Sequence, residues 1–349
     1  MDSGSDIRIV FGIDTITQLP EELARISGKR ALIISTPQQQ DQAEELRQLI
    51  GDGVASVFSN AAMHTPVEIT AEAMRIVQEQ QVDCLVAIGG GSTTGLSKAI
   101  AYRTGLPQIV IPTTYAGSEM TPILGQTEDG VKTTVRDEKL FPDVVIYDVR
   151  LTLTLPPDIS GTSGINAIAH AVEALYAENK NPEVSAMAVE GISKLSRALP
   201  IIASEPQNIE ARTDALHGAS LCGQCLATVG MALHHKLCHT LGGSFDLPHA
   251  ETHTVVLPHA TAYNAAADPQ AMRQIAGALG TDTAPTGLYD LGHAVGAKMA
   301  LRDLGLAESD LGRAADLAVQ SPYWNPRPIE RDEIRELIER AWAGDSPLA

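Results

Sequence analysis

Five side chains from residue 166 onward stand at spacings that could do chemistry. Asn166 and His170 are four residues apart in a stretch of helical periodicity, so they share one face of a helix. His235 and His239 repeat that spacing, and His249 follows Pro248 fourteen residues after His235. Histidine is the side chain whose proton moves near neutral pH, and its ring nitrogen also ligates metals. Taken singly, each imidazole would be a hydrogen-bonded structural residue. Four of only ten histidines converging from one helical region instead form a candidate metal or acid–base site.

A second candidate lies in the first half. The run Cys84-Leu85-Val86-Ala87-Ile88 reads as a buried strand and leads directly into Gly89-Gly90-Gly91-Ser92-Thr93-Thr94-Gly95. A helix from Ser97 to Arg103, carrying Lys98, follows. Consecutive glycines let the backbone approach a ligand, and free N–H groups with the helix dipole favour a phosphate. This is neither G-x-G-x-x-G nor a P-loop. After the next strand, Pro112-Thr113-Thr114-Tyr115-Ala116-Gly117-Ser118-Glu119 offers hydroxyls suited to a ribose, a phosphate or a nicotinamide amide. Gly89, Gly90, Gly91, Ser92, Thr93, Thr113, Thr114 and Ser118 are therefore the expected cofactor-binding residues, with Ser35 on the adenosine side. The strand ending Ile34-Ser35-Thr36-Pro37 carries no Asp or Glu to repel a 2′-phosphate, so NADPH is expected to serve beside NADH.

These residues need elements to hold them. Up to about residue 150, β-branched runs (31–35, 54–58, 84–88, 108–111, 144–147) alternate with helix candidates (41–50, 67–79), which implies right-handed βαβ units and a mostly parallel sheet. Asp129-Gly130, between Gln126-Thr127 and Lys132-Thr133-Thr134, predicts a hairpin turn. After Pro156-Pro157 the texture becomes Ala/Leu/Glu-rich and helical. The expected organisation is an α/β nucleotide-binding domain over residues 1–155 and an all-helical catalytic domain over 156–349. Ligands of such proteins sit beyond the carboxyl ends of the strands, in the cleft between domains.

Composition removes other classes. With 43 acidic against 25 basic side chains the formal charge is −18, which argues against a nucleic-acid backbone binder. The chain is 44% hydrophobic but only 4% aromatic, so its core must be built from Ala, Val, Ile and Leu. No run of eighteen apolar residues exists, and Met1 to Gly12 lacks the pattern of a secretory signal, so the cytoplasm is the expected compartment. Cys222 and Cys225 have redox-motif spacing, but their helical context predicts plain packing.

Together, Gly89-Gly90-Gly91-Ser92, Pro112-Thr113-Thr114, the Asn166–His170 helix and the run from His235 to His249 resemble the iron-containing alcohol dehydrogenase superfamily over nearly the whole chain. The segments Gly91–Lys98 and Pro112–Pro122 resemble its maleylacetate reductase branch. The resemblance implies the two-domain dehydroquinate synthase-like fold and a homodimer. It also implies reduction of the C=C bond of maleylacetate to 3-oxoadipate with NADH or NADPH, in bacterial aromatic-compound catabolism. The superfamily's metal positions, an Asp and three His, would fall on Asn166, His170, His235 and His249, while His239 would lie near the nicotinamide. Here the Asp is Asn, and the Asp usual in the helix after the glycine turn is missing, with Gly95 in that region.

Asn166, His170, His235, His239 and His249 are therefore the expected catalytic residues, and no metal is expected to be required. Histidine donors would hold the dianionic substrate and its developing enolate. Two other readings make different demands. A metal-dependent alcohol or polyol dehydrogenase of the same superfamily would polarise a substrate oxygen with its ion. A dehydroquinate synthase-like lyase would use NAD only transiently.

Overall fold

In a computed structural model of the chain, which describes residues 7–128, 131–320 and 323–347, every β-branched run singled out above is a strand. The chain separates into two units, Met1–Leu155 and Pro156–Ala349. The Asp129-Gly130 turn and the side chain of Lys132 lie outside the described residues.

The first unit runs β1 (Arg8–Gly12), α1 (Leu19–Arg25), β2 (Ala31–Ile34), α2 (Gln40–Ile50), β3 (Val54–Phe58), α3 (Val67–Glu79), β4 (Cys84–Gly89), α4 (Gly91–Thr104), β5 (Gln108–Pro112), β6 (Ile123–Glu128), β7 (Val131–Arg136) and β8 (Val144–Asp148). Six strands form a parallel sheet in the order β1-β8-β5-β4-β2-β3. The four inner strands are buried along their whole length, because helices cover both faces of a parallel sheet. Alternation sorts their side chains: Ile33, Val86, Ile109 and Ile146 enter one core, Leu32, Leu85, Ala87 and Val110 the other.

β6 and β7 form a separate antiparallel hairpin, with Gln126 opposite Thr133 and Thr127 opposite Lys132. Strand order reverses at β2 and β4: β3 follows β2 outward, and β4 returns to its other side. Such a switch point opens a crevice at the strands' carboxyl ends. Two elements escape the sequence pattern. β1 is an edge strand whose Ile9 and Phe11 remain exposed, and α1 is only seven residues long. The helix after the glycine turn also begins earlier than predicted, at Gly91 rather than Ser97. Gly89 and Gly90 absorb the turn, and hydrogen bonding outweighs the weak helix propensity of Gly91 and Gly95.

The second unit is helical throughout its described residues: α5 (Pro157–Leu175), α6 (Pro182–Ser204), α7 (Ile209–Thr228), α8 (Leu233–Phe245), α9 (His249–Asn264), α10 (Pro269–Leu279), α11 (Ala284–Ala294), α12 (Leu311–Val319) and α13 (Arg331–Ala343). Pro157 occupies the first position of α5, where its missing N–H costs nothing. Asn181, Asn208 and Asp268 cap α6, α7 and α10 through their side-chain oxygens. From Ser160 to Leu175 every residue of α5 is buried, so polar groups on this helix must find partners inside the protein. Cys222 and Cys225 are buried free thiols, with burial pushing Cys225 up to about 12. No single helix among the described residues is long and apolar enough to cross a membrane.

Candidate active site

Helices α5, α8 and α9 bring the predicted histidines together. The rings of His170 and His235 lie 5.1 Å apart, and His239 stands 6.2 Å from His235. His249 joins through His253, whose ring is 4.3 Å from His249 and 5.1 Å from His235. His170, His235, His253 and Asn166 are buried, whereas His239 and His249 are exposed. The cluster thus has a sealed floor and an open rim.

The floor contains a group the sequence reading passed over. Glu173 is fully buried and accepts three strong hydrogen bonds: from Ala232 N–H at 2.8 Å, His234 N–H at 2.8 Å and His235 Nδ1 at 2.7 Å. Burial pushes its carboxyl upward, while the surrounding donors pull it back. With Nδ1–H on Glu173, His235 turns Nε2 the other way, and that nitrogen is buried without a partner. Asn166 Oδ1, His170 Nδ1 and both ring nitrogens of His253 are likewise unpartnered. Burial, then the neighbouring imidazoles, holds His170 well below its ordinary range, and His235 and His253 follow for the same causes. The only signal for Glu173 was its place on the face of Asn166 and His170, since 166, 170 and 173 follow i, i+4, i+7. His253 repeats the i, i+4 signal from His249.

The glycine turn closes β4 in the first unit. Gly89 has φ +141°, and a Cβ there would collide with Gln39 Oε1 and Thr93 Oγ1. Gln39 reaches over from the segment after β2 and donates Nε2 to Thr113 Oγ1 at 2.7 Å, linking the loops after β2, β4 and β5. Thr93 is buried, its hydroxyl turned back on Gly90 O at 2.9 Å, and so serves the turn. Gly91, Ser92 and Thr114 keep accessible surface. Ser35 does not: it is wholly buried, and its hydroxyl donates to Ser59 Oγ at 2.9 Å, so the expected side-chain contact to adenosine is lost. Gly95, where the superfamily's Asp is missing, receives Thr65 Oγ1 instead, at a separation no Cβ would tolerate.

His64, Lys132, Lys236 and Tyr323 are polar side chains of a type that can hold a substrate carboxylate, and of these Lys236 and Tyr323 meet in the second unit. Lys236 Nζ lies 5.6 Å from the Tyr323 ring centroid, and Tyr323 Oη is buried without a partner. His64 belongs to the first unit, in a left-handed conformation (φ 61°).

Residues 7–149 match the iron-containing alcohol dehydrogenase family, and residues 160–342 match the C-terminal region of the Fe-containing alcohol dehydrogenases. The chain belongs to the iron-containing alcohol dehydrogenase family. Membership makes it a nucleotide-dependent oxidoreductase. Within the family it is 56% identical to a maleylacetate reductase of Rhizobium sp. (strain MTP-10005), covering 97% of both chains. It is 52% identical to one from Burkholderia cepacia, again over 97% of each. The crystal structure of maleylacetate reductase from Agrobacterium tumefaciens superposes with a TM-score of 0.95 at 54% identity, over 99% of this chain and 98% of that one.

The family name implies iron, so the donor set has to be tested against an ion. Asn166 Oδ1, His170 and His235 Nε2 are all neutral donors. Two other groupings have metal-like spacing, Glu173–His234–His235 and His234–Cys238–His253. In each grouping a member is already engaged within the protein. Glu173 accepts Ala232 N–H, His234 N–H, His235 Nδ1–H and, at 3.4 Å, Tyr176 Oη–H, and His234 Nε2 faces His253 O at 3.0 Å. The Glu173 carboxylate does stand directly behind His235, 2.7 Å from its Nδ1. It cannot serve as a direct ligand in this arrangement. The unpartnered donors, Asn166 Oδ1, His170 Nδ1 and His235 Nε2, offer an ion no anionic ligand.

Proposed function

We propose that this chain reduces the activated C=C bond of maleylacetate to 3-oxoadipate, with NADH or NADPH as hydride donor, in bacterial aromatic-compound catabolism. The observation that carries this reading is the 56% identity to a maleylacetate reductase across 97% of both chains. A homodimer in the cytoplasm is part of the same reading.

The chemistry sets the roles. Hydride leaves the nicotinamide for the alkene carbon β to the ketone, and the π electrons move onto the ketone oxygen as an enolate. A proton then reaches the α carbon, so the product gains one hydride and one proton. Backbone N–H groups of Gly90, Gly91 and Ser92 at the start of α4 hold the pyrophosphate, and Thr114 and Ser118 lie along the nicotinamide side. His239, on the open rim, donates to the enolate oxygen and passes the proton. His235, kept neutral by burial and oriented by Nδ1–H on Glu173 at 2.7 Å, offers Nε2 as an acceptor. Lys236 and the Tyr323 hydroxyl suit a substrate carboxylate. Asn166 contributes an amide where an Asp would repel the dianion.

The reading that no metal is needed rests on those neutral donors. The test is NADH oxidation with freshly generated maleylacetate, before and after chelation, alongside oxidation of simple alcohols. Faster alcohol oxidation that is lost on chelation would replace the proposal with a metal-dependent alcohol dehydrogenase.

A further inference from the structure

A glycine turn followed by a lysine invites a phosphate-binding role for Lys98. The structure turns this side chain the other way. Lys98 lies seven residues past Gly91 in α4 and is 1% exposed. Its Nζ is enclosed by Ser118 O at 2.6 Å, Thr121 O at 2.6 Å, Thr121 Oγ1 at 3.0 Å and Ile123 O at 3.2 Å. Four protein oxygens exceed the three hydrogens of an ammonium, so no donor is left for a ligand. Three of them belong to the segment between β5 and β6, and the fourth, Ile123 O, to the first residue of β6. That segment carries Thr113, Thr114 and Ser118.

Two further contacts fix the same place. Thr121 Oγ1 donates to Ser118 O at 3.0 Å, closing a ring of bonds with Nζ. Ser118 Oγ is buried without a partner and lies 4.0 Å from where a Cβ on Gly91 would stand. The ammonium thus holds Ser118 by its carbonyl while the hydroxyl faces the first turn of α4. Glu119, the neighbouring carboxylate, is itself held by Tyr147 Oη at 2.8 Å from β8. Glu119 and Tyr147 are the titratable groups of this buried patch.

We propose that Lys98 is a positioning residue for the nucleotide: its ammonium anchors the Thr113–Ser118 segment to α4 and sets the Ser118 hydroxyl against the glycine turn. A buried charge is costly to keep, and here four carbonyl and hydroxyl oxygens replace its water. Lys98→Met keeps the length and removes the donor. The inference rests on the reading of this segment as the nucleotide site, so binding and turnover are measured separately.

The experiment is NADH titration by fluorescence on the full chain. Wild type should bind, and Lys98→Met should bind ten- to a hundredfold more weakly, with KM for NADH raised and KM for the enone unchanged. Burial pushes the Lys98 amine down to about 7, with the Glu119 carboxylate pulling it back. Wild-type NADH affinity should accordingly fall as pH rises above neutrality, whereas Lys98→Met should be flat. If Lys98→Met does not fold, Thr121→Val, which removes one acceptor, should still weaken NADH two- to fivefold. Unchanged NADH affinity in a folded Lys98→Met, or in Thr121→Val together with a flat wild-type pH profile, overturns the inference. A wild type that binds no NADH at all overturns the nucleotide-site reading instead.

Discussion

His235 donates Nδ1–H to Glu173 at 2.7 Å, and the same carboxylate accepts the backbone N–H groups of Ala232 and His234 that open α8. One buried group therefore sets both the tautomer of an active-site imidazole and the entry of the helix that carries it. A ring nitrogen fixed in this way leaves the other with a defined role, which is how outer partners tune histidine sites.

Glu173→Gln is expected to harm both jobs. Each carboxylate oxygen accepts a backbone N–H, and an amide NH2 in place of either faces a donor. A buried mismatched donor costs about 1–3 kcal/mol. Turnover should fall by about ten- to a hundredfold through misoriented His235. Thermal melting and kcat on the same preparation check the pair of effects, and a variant with wild-type values for both refutes the role.

His239 separates activity from folding differently. It is exposed on the rim, so its removal leaves no cavity in the core. His239→Ala should keep the melting temperature within a degree or two while kcat drops by about a hundredfold to ten-thousandfold, the usual cost of losing a general acid. Near-normal turnover in the folded variant would remove the assignment.

The sequence made the first unit legible because its inner strands are short, mostly apolar runs, buried along their whole length, separated by amphipathic stretches. β1 was hidden because an edge strand with exposed Ile9 and Phe11 lacks that uniform burial. Among site residues, the histidines declared themselves by type and spacing. Glu173 did not, since a lone Glu in an Ala-rich helix reads as a solvated residue until the helix is known to be buried on all sides. Ser35 failed for the converse reason: a hydroxyl at a strand tip suggests a ligand, but Ser59 across the β2–β3 edge had already claimed it.

Lys98 gives the folded protein a pH signature. Its folded value of about 7 lies below the ordinary 10.5, so between those values the unfolded chain binds more protons. Stability from this group therefore rises with pH across that window, and the cost of the buried charge is fully present below 7. The melting temperature of wild type minus that of Lys98→Met should become more positive from pH 7 to pH 10. A constant difference would show that the amine keeps its proton throughout.

Both cofactors are expected to work, because the tip of β2 carries no carboxylate. Asp41, with Pro37, Glu44, Ser59 and Asn60, lines a groove of about 640 Å³ beside β3. If Asp41 reaches the adenosine ribose, NADPH will be the weaker substrate and Asp41→Asn will narrow the gap. A preference for NADH beyond about a thousandfold, roughly 4 kcal/mol, that Asp41→Asn leaves intact would place the discrimination elsewhere.

The metal question divides the maleylacetate reading from its closest rival. At Asn166 a neutral amide stands where the metal-dependent members of the family carry their anionic ligand. The Glu173 carboxylate nearby already accepts from four donors, Ala232, His234, His235 and Tyr176. An ion held only by neutral donors would retain its full +2 charge toward solvent, and a dianionic substrate would chelate it in the ground state. Catalysis needs tighter binding of the transition state than of the substrate. Three histidines do suffice for zinc in some enzymes, so the donor count alone does not decide. Protein prepared without added metal should contain far less than one equivalent of zinc or iron, and prolonged chelation should leave maleylacetate reduction intact. Asn166→Asp should move both observables the other way, raising divalent-ion affinity while weakening reduction of the dianion. Stoichiometric metal whose removal abolishes turnover would instead make Asn166 Oδ1 and His235 Nε2 ligands, with Glu173 supplying the balancing charge from behind.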